Sequence, residues 1–354
     1  MDNLFKPVIF IGKPESVELF KLLNSDDIIK KDFLPSMLVE LALNKFPSLN
    51  KNDSEEVEKQ VDRLKLEDEN RCHGNWIYFP WRRELIRILG KSDFIFLRTC
   101  RNHFKVLQHE EELLSKKSIG IVGLSVGYSV LMAISLERIV EKIRIADFDL
   151  IELSNLNRIY QPLCNLGLNK SVSAARAVYE LDPYMDIEIF SEGLSNEPNS
   201  IKNFISGVDG SNLDLIVDEC DSGRIKLELR KAARELRIPL LMETSDRSVL
   251  DIERYDLDGN YPLLHGMLEP YTSDIDFSEE KSREILFSSI DFSKVSKRGL
   301  ESMNEIGKQI RTWPQLGTDV LCGGVSVAIA VKKILLGSPL QSQRIFLDLE
   351  SRIH

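Results

Sequence analysis

Apolar and polar positions alternate along the chain with three different textures. Up to about residue 95, the run Pro7-Val8-Ile9-Phe10-Ile11 reads as a strand, and helical spacing of apolar residues follows over 15–23 and 33–46. Residues 55–66 are helical but rich in charge, which marks a solvated face. Trp76-Ile77-Tyr78-Phe79 reads as another strand, and 82–89 fits a short helix. From Lys117 the period changes to strand, helix, strand. Strands are expected at 118–122, 142–146, 186–190, 213–217 and 239–242, with helices at 128–137, 171–180 and 224–236. Residues 271–312 are polar and punctuated and read as a long crossing segment, and 319–336 is a helix rich in small residues. This order predicts an α/β fold, a doubly wound and mostly parallel sheet covered on both faces, preceded by a smaller N-terminal α+β domain. The expected division is 1–95 and 96–354.

One stretch needs separating from a membrane span. Residues 119–136 carry no charge, which is close to the minimum length for crossing a bilayer. Gly120, Gly123 and Gly127 interrupt the first half, and the period changes at Gly123, so strand, glycine turn and buried helix is the better reading. Composition agrees with a globular chain: 354 residues, 43% hydrophobic and 29% charged, are enough for two domains with real cores. The formal charge of -10 argues against sequence-independent nucleic-acid binding, which depends on neutralising phosphates. Five scattered cysteines (72, 100, 164, 220 and 322) form no C-x-x-C pair, so neither a disulfide framework nor a structural zinc is expected. The first residues have only a short apolar run and no small-residue cleavage site, and read as the start of a mature cytoplasmic protein.

Candidate chemistry begins at Gly123-Leu124-Ser125-Val126-Gly127, a strand-to-helix turn. As G-x-S-x-G it could be a hydrolase elbow with Ser125 as nucleophile. It also fits a degenerate nucleotide loop, in which backbone N–H groups at a helix start meet phosphate. A tight turn without a ligand is the third reading. The hydrolase reading needs a downstream histidine, and only His265 and His354 follow. The nucleotide reading needs an acid at the end of the next strand, and Asp147 lies 24 positions after Gly123. Then come Asp147-Phe148-Asp149-Leu150-Ile151-Glu152-Leu153-Ser154-Asn155-Leu156-Asn157-Arg158, Gly167-Leu168-Asn169-Lys170 and Asp218-Glu219-Cys220-Asp221. They place carboxylates, an amide, an Arg and a Lys at successive strand ends, where an open α/β sheet binds ligands. Arg and Lys can clamp phosphate oxygens and a strand-end Asp can hold Mg²⁺. No Walker loop is present, so ATP would be held without one.

The string DFDLIELSNLNR, followed by GLNK and DECD, resembles the ThiF/MoeB adenylyltransferases, relatives of the ubiquitin-activating enzymes. The resemblance runs from about Lys117 to at least Met242, and the chain is most similar to a subgroup with an extra N-terminal segment, here ending in WIYFPWRR and RTCRN. It implies a homodimer using ATP and Mg²⁺. Gly123, Ser125 and Gly127 would shape the nucleotide loop, and Asp147 would bond the ribose, with Asp149 beside it. Asn155, Arg158 and Lys170 would contact phosphates, Asp221 would bind Mg²⁺, and Arg101 would reach the triphosphate across the dimer interface. The catalytic set is then Arg101, Arg158, Lys170 and Asp221. Two departures stand out: Ser125 replaces the usual second glycine, and the paired C-x-x-C zinc site is missing.

Simpler readings compete at several positions. Asp149 and Glu152 could be turn residues, and Cys220 follows an apolar strand, where cysteines are usually inert. Trp76, Trp81 and Trp313 suit a core or interface. Glu243-Thr244-Ser245-Asp246-Arg247 follows a strand at the ligand edge and is either a substrate contact or a polar loop. The reaction expected from the resemblance is adenylation of a carboxylate to acyl-AMP and pyrophosphate. Most relatives activate a ubiquitin-fold sulfur carrier for molybdopterin or thiamin synthesis, and others a ribosomal precursor peptide, as in microcin C7 and pantocin A maturation. The absent zinc motif and the N-terminal domain favour the peptide-tailoring role, with 1–95 recognising the peptide and no nucleic acid or membrane as partner. An NAD-dependent oxidoreductase and a non-catalytic binding module are the readings from other classes.

Overall fold

The computed structural model describes residues 5–12, 16–195, 197, 199–207, 210–273 and 278–353. It divides into two compact units, Met1–Gln108 with Arg176–Tyr184, and His109–Ala175 with Met185–His354.

The first unit holds strands β1 (Val8–Ile11), β2 (Ile29–Asp32), β3 (Asn75–Phe79) and β4 (Glu84–Ile88), ordered β1-β3-β4-β2. β3 pairs antiparallel with β1 and β4, and β2 runs parallel to β4. Helices Leu34–Lys45 and Ser54–Glu67 pack Leu38, Leu41, Val61 and Leu64 into one core. The second of these shows how its charged sequence folds: Val57, Val61 and Leu64 fall on one buried face, and Asp53 caps the start by accepting from Glu56 N–H at 3.1 Å. Residues 82–89 do not form the short helix that their spacing suggests. Arg83 takes φ of 52° in a turn, and β4 then pairs on both edges, so ladder hydrogen bonds outweigh a weak helical period.

The second unit carries seven strands: β5 (Ser118–Val122), β6 (Lys142–Ala146), β7 (Asp186–Phe190), β8 (Leu215–Asp218), β9 (Leu240–Thr244), β10 (Val249–Glu253) and β11 (Gln343–Phe346). Their order is β11-β10-β9-β8-β5-β6-β7, parallel from β9 to β7 and antiparallel at β10 and β11. Every residue of β5 is buried, as a central parallel strand requires. Successive residues of β9 show the two covered faces. Met242 meets Lys226 and Arg230 of helix Gly223–Glu235, whereas Glu243 abuts Gly323 of helix Gly317–Leu335. The mostly parallel, doubly wound α/β sheet is therefore as expected. Residues 119–136 divide into strand, turn and helix, and among the described residues no helix is long and apolar enough to cross a membrane.

The polar stretch 271–312 is not simply a crossing segment. It contains helices Glu279–Ser288 and Lys297–Met303, each begun by a serine cap: Ser278 accepts from Lys281 N–H at 3.2 Å and Ser296 from Gly299 N–H at 2.9 Å. Capping starts these short helices where apolar period is too brief to announce them. Strands β10 and β11 also escape the sequence pattern, since stretches of four and five residues mixing apolar with polar or charged side chains are too short to set a period.

Candidate functional site

The chain passes from β5 outward through β6 to β7, then returns to β8 on the other side of β5. That reversal is a topological switch point, where an open α/β sheet leaves a crevice beyond its carboxyl ends. Gly123-Leu124-Ser125-Val126 follows β5 and Glu219-Cys220-Asp221 follows β8, so both motifs meet there. Gly123 has φ of 86°, and a Cβ on it would collide with the Glu219 carbonyl, so only glycine lets the two loops approach. Helix Gly127–Glu137 starts directly after this loop without a side-chain cap.

Each sequence candidate has a defined place. Asp147, at the end of β6, is buried, and its carboxylate accepts Leu124 N–H at 2.6 Å and Asp149 N–H at 2.8 Å, tying the glycine loop to the next loop. Burial pushes its pKa up; the Lys170 charge and those two bonds oppose the shift. Lys170, buried at the start of its helix, pairs with Asp149 at 2.8 Å. Asn155 accepts Glu152 N–H at 3.0 Å inside a capping box, so its carbonyl oxygen holds the loop together. Arg158 donates to Ser125 Oγ at 3.0 Å, Asn157 Oδ1 at 3.0 Å and Ser154 O at 3.2 Å. Burial lowers its pKa and the Asp221 charge opposes that. Asp221 is exposed and accepts no hydrogen bond from the described residues. Arg101 lies in the first unit, exposed in the short helical turn Cys100–Asn102.

A cavity of about 670 Å³ opens beside Arg158 and Asp221. Val126, Glu219, Lys226 and Glu243 line it from the sheet side, and Leu286, Phe287, Ile290, Met303, Ile306 and Trp313 supply an apolar wall. The loop after β9 contributes Thr244 to Asp246, although Asp246 is also occupied in capping Ser296, and Arg247 pairs with Asp348. The sequence reading singled out this loop but missed the wall, because helices 279–288 and 297–303 were hidden in a polar stretch. Arg344 also lines the cavity, held by Asp251 through bonds of 2.6 and 2.9 Å, and nothing in its sequence context marked it.

The arrangement does not assemble a hydrolase elbow. Ser125 Oγ accepts from a guanidinium, not from a histidine. His265 is engaged by Asp251 at 2.8 Å and Tyr261 at 2.9 Å, and His354 lies outside the described residues. Cys220 is held against Asp218 at 3.0 Å, and burial followed by the Asp218 charge pushes its thiol up, so it is a poor nucleophile in this state.

Fold and crevice together define a Rossmann-like unit with anion-directed groups at its switch point. Residues 100–266 match the model of the ThiF family. An uncharacterized protein of Mycobacterium tuberculosis (strain CDC 1551 / Oshkosh) is 39% identical over 285 residues, covering 78% of this chain and 38% of its own length. Ubiquitin-like modifier-activating enzyme 5 of Culex quinquefasciatus is 29% identical over 137 residues, 36% of this chain and 34% of that enzyme. The chain thus spans little more than a third of these relatives. Among solved structures, E. coli tRNA N6-threonylcarbamoyladenosine dehydratase TcdA in complex with AMP aligns at 19% identity and a TM-score of 0.47, covering 69% of this chain and 97% of that one. E. coli MccB with MccA-N7isoASN aligns at 13% identity and a TM-score of 0.47, covering 88% and 83%.

Proposed function

We propose that the chain is an ATP-dependent adenylyltransferase that converts a carboxylate to an acyl-adenylate with release of pyrophosphate. The observation carrying this reading is the pairing of a ThiF-family match with a switch-point crevice where Arg158 and Asp221 face an open cavity. A carboxylate resists attack because its leaving group would be oxide, and AMP supplies a better one. The reaction needs positioning and charge neutralisation more than a protein nucleophile. Uncapped N–H groups of helix Gly127–Glu137 would receive phosphate oxygens, with Arg158 and Lys170 as cations. Asp149 aims Lys170, and each Asp147 oxygen keeps a lone pair for a ribose hydroxyl. Asp221 fits Mg²⁺, which is usually held by one or two carboxylates plus substrate phosphates. Among the described residues no group of three or more His, Cys, Asp or Glu could hold a metal unaided. Mg²⁺ would neutralise charge on the triphosphate.

For the acyl substrate, the cavity's apolar wall favours a molecule with substantial non-reacting surface, a peptide or small protein, with residues 1–95 contributing to its recognition. Sulfur-carrier activation belongs to the same chemistry. Carboxylate-dependent exchange of labelled pyrophosphate into ATP, run against short peptides and small carrier proteins, tests the reading; no exchange with any of them overturns it. Ser125→Ala should lower exchange less than about tenfold, the scale of one ordinary net hydrogen bond. A nucleophile would lose about a million-fold, and labelling of Ser125 by a fluorophosphonate would favour the elbow.

Arg101 is proposed to complete the site of a second subunit in a homodimer, a task suited to a permanently charged fork. Arg101→Ala and Asp221→Ala homodimers should both be nearly inactive, and mixing them should restore one working site per heterodimer. If Arg101 acts within its own chain, the mixture stays inactive.

A further inference from the structure

The end of the cavity away from the switch point is built by the antiparallel edge of the sheet. Register sets Met242 against Asp251 and Asp251 against Arg344, and it sets Val249 against Phe346, so these residues lie on one face. Helix Glu279–Ser288 covers the same face. Met242 meets helix Gly223–Glu235, and a Cβ on Gly223 of that helix would strike Ser282 and Ile285. Arg344 and the apolar Leu286 and Ile290 therefore border one space. Arg344 is fixed there. Its Nε and Nη2 donate to the fully buried Asp251 at 2.6 and 2.9 Å, its Nη1 meets Met267 Sδ at 3.2 Å, and His265 also bonds Asp251 at 2.8 Å. A guanidinium has five N–H donors, so two of those on Arg344 have no acceptor among the described residues. Two further cations line the cavity without an acidic partner among the described residues. Lys294 lies with its ammonium 5.7 Å from the centre of the Phe346 ring, and Arg311 is exposed. Asp246 and Asp291, also in the lining, are taken up by Ser296 and Ser293.

We propose that Arg344, Lys294 and Arg311 form a recognition subsite for an acidic side chain of a peptide whose terminal carboxylate is activated at the switch point, an inference that rests on the adenylation reading. The two kinds of cation divide the task. Asp251 offsets the charge of Arg344 but fixes its planar fork, so Arg344 supplies direction for a planar carboxylate. Lys294 and Arg311 supply the unbalanced positive charge. Spacing then places the acid along the peptide. Asp221 follows β8 and Arg344 lies on β11, three strand spacings away across the sheet, about 14 Å. An extended peptide rises about 3.3 Å per residue and covers that distance in about four residues. The acid therefore belongs about four positions before the activated terminus, and uncharged residues between them pass the wall of Leu286 and Ile290.

Calorimetric titration of the full chain without ATP, using acetylated pentapeptides of alanine that end in glycine, tests the subsite directly. One peptide carries glutamate at its first position, the second carries glutamine there, and the third carries glutamate beside the terminal glycine. The first is expected to bind about tenfold or more tightly than the other two, the scale of a hydrogen bond to a charged group. That advantage should vanish in Arg344→Gln and shrink in the double variant Lys294→Gln with Arg311→Gln. Three results each overturn the proposal: no saturable binding of the first peptide, an advantage that does not depend on where the glutamate stands, or an advantage unchanged in the variants. If Arg344→Gln fails to fold because Asp251 loses its cation, the double variant decides, since both of its residues are exposed. Pyrophosphate exchange with the same peptides separates the two readings. A position-dependent binding advantage without exchange from any peptide sinks adenylation of this substrate class and leaves the subsite standing. Equal exchange and equal binding from all three do the reverse.

Discussion

Asp221→Asn is expected to keep ATP binding and to lose carboxylate-dependent pyrophosphate exchange by about a hundredfold or more, the scale of removing a group that stabilises developing charge. Asp221 takes no part in the hydrogen bonding of the described residues and stands exposed at the cavity, so the amide should leave stability within about 0.5 kcal/mol of wild type. The variant therefore separates chemistry from folding. An amide keeps the shape but cannot neutralise a dication, so exchange should need more Mg²⁺ and recover partly as Mg²⁺ is raised. The neighbouring Arg158 loses the carboxylate that supports its charge against burial, which weakens phosphate attraction in the same direction. Exchange within threefold of wild type, with an unchanged melting curve, would remove Asp221 from the machinery.

The switch point was legible because its parts are local. Gly123 breaks an apolar run at the end of a strand, Asp147 and Asp218 end the strands on either side, and each signal sits within a few residues of the element that positions it. The mostly parallel sheet covered on both faces follows from the same alternation of strand and helix. What stayed hidden is what depends on distant partners. Arg344 reaches the cavity through β11, a four-residue strand whose pairing with β10 nothing in its own composition announces. Glu243 looked like the start of a polar loop, but it is the buried fourth residue of β9, and its carboxyl lies where Gly323, eighty positions on, leaves space. The misread segment 82–89 makes the same point for backbone: its apolar spacing is too short to choose a period, and pairing with β2 and β3 decides.

Arg230→Met is the substitution expected to cost the most stability, about 3–5 kcal/mol. Arg230 is completely buried on helix Gly223–Glu235 and donates to Asp218 at 2.6 Å and Glu253 at 2.8 Å. Glu253 in turn accepts from the Tyr255 hydroxyl and from Leu264 N–H at 2.6 Å. Methionine fills similar volume but removes the guanidinium from two buried carboxylates, leaving Asp218 with Lys226 at 3.3 Å as its cation among the described residues and the neutral donors of Cys220. Despite full burial, the Lys226 and Arg230 charges hold the Asp218 pKa down at about 2, against 3.8 when unperturbed. A depressed carboxylate contributes stability that is present above pH 3.8 and lost as pH falls toward 2, here about 2 kcal/mol. The gap between wild type and Arg230→Met should therefore be widest near neutrality and narrow in acid, as protonation relieves the stranded carboxyls of the variant. Urea unfolding across pH 3–7 measures it. Asp218 immediately precedes Glu219, Cys220 and Asp221, so the same variant should loosen the loop that carries the cavity's carboxylates and lower exchange even where it remains folded. A loss below 1 kcal/mol at pH 7, or a gap that does not change with pH, would mean that the network is not what fixes this loop.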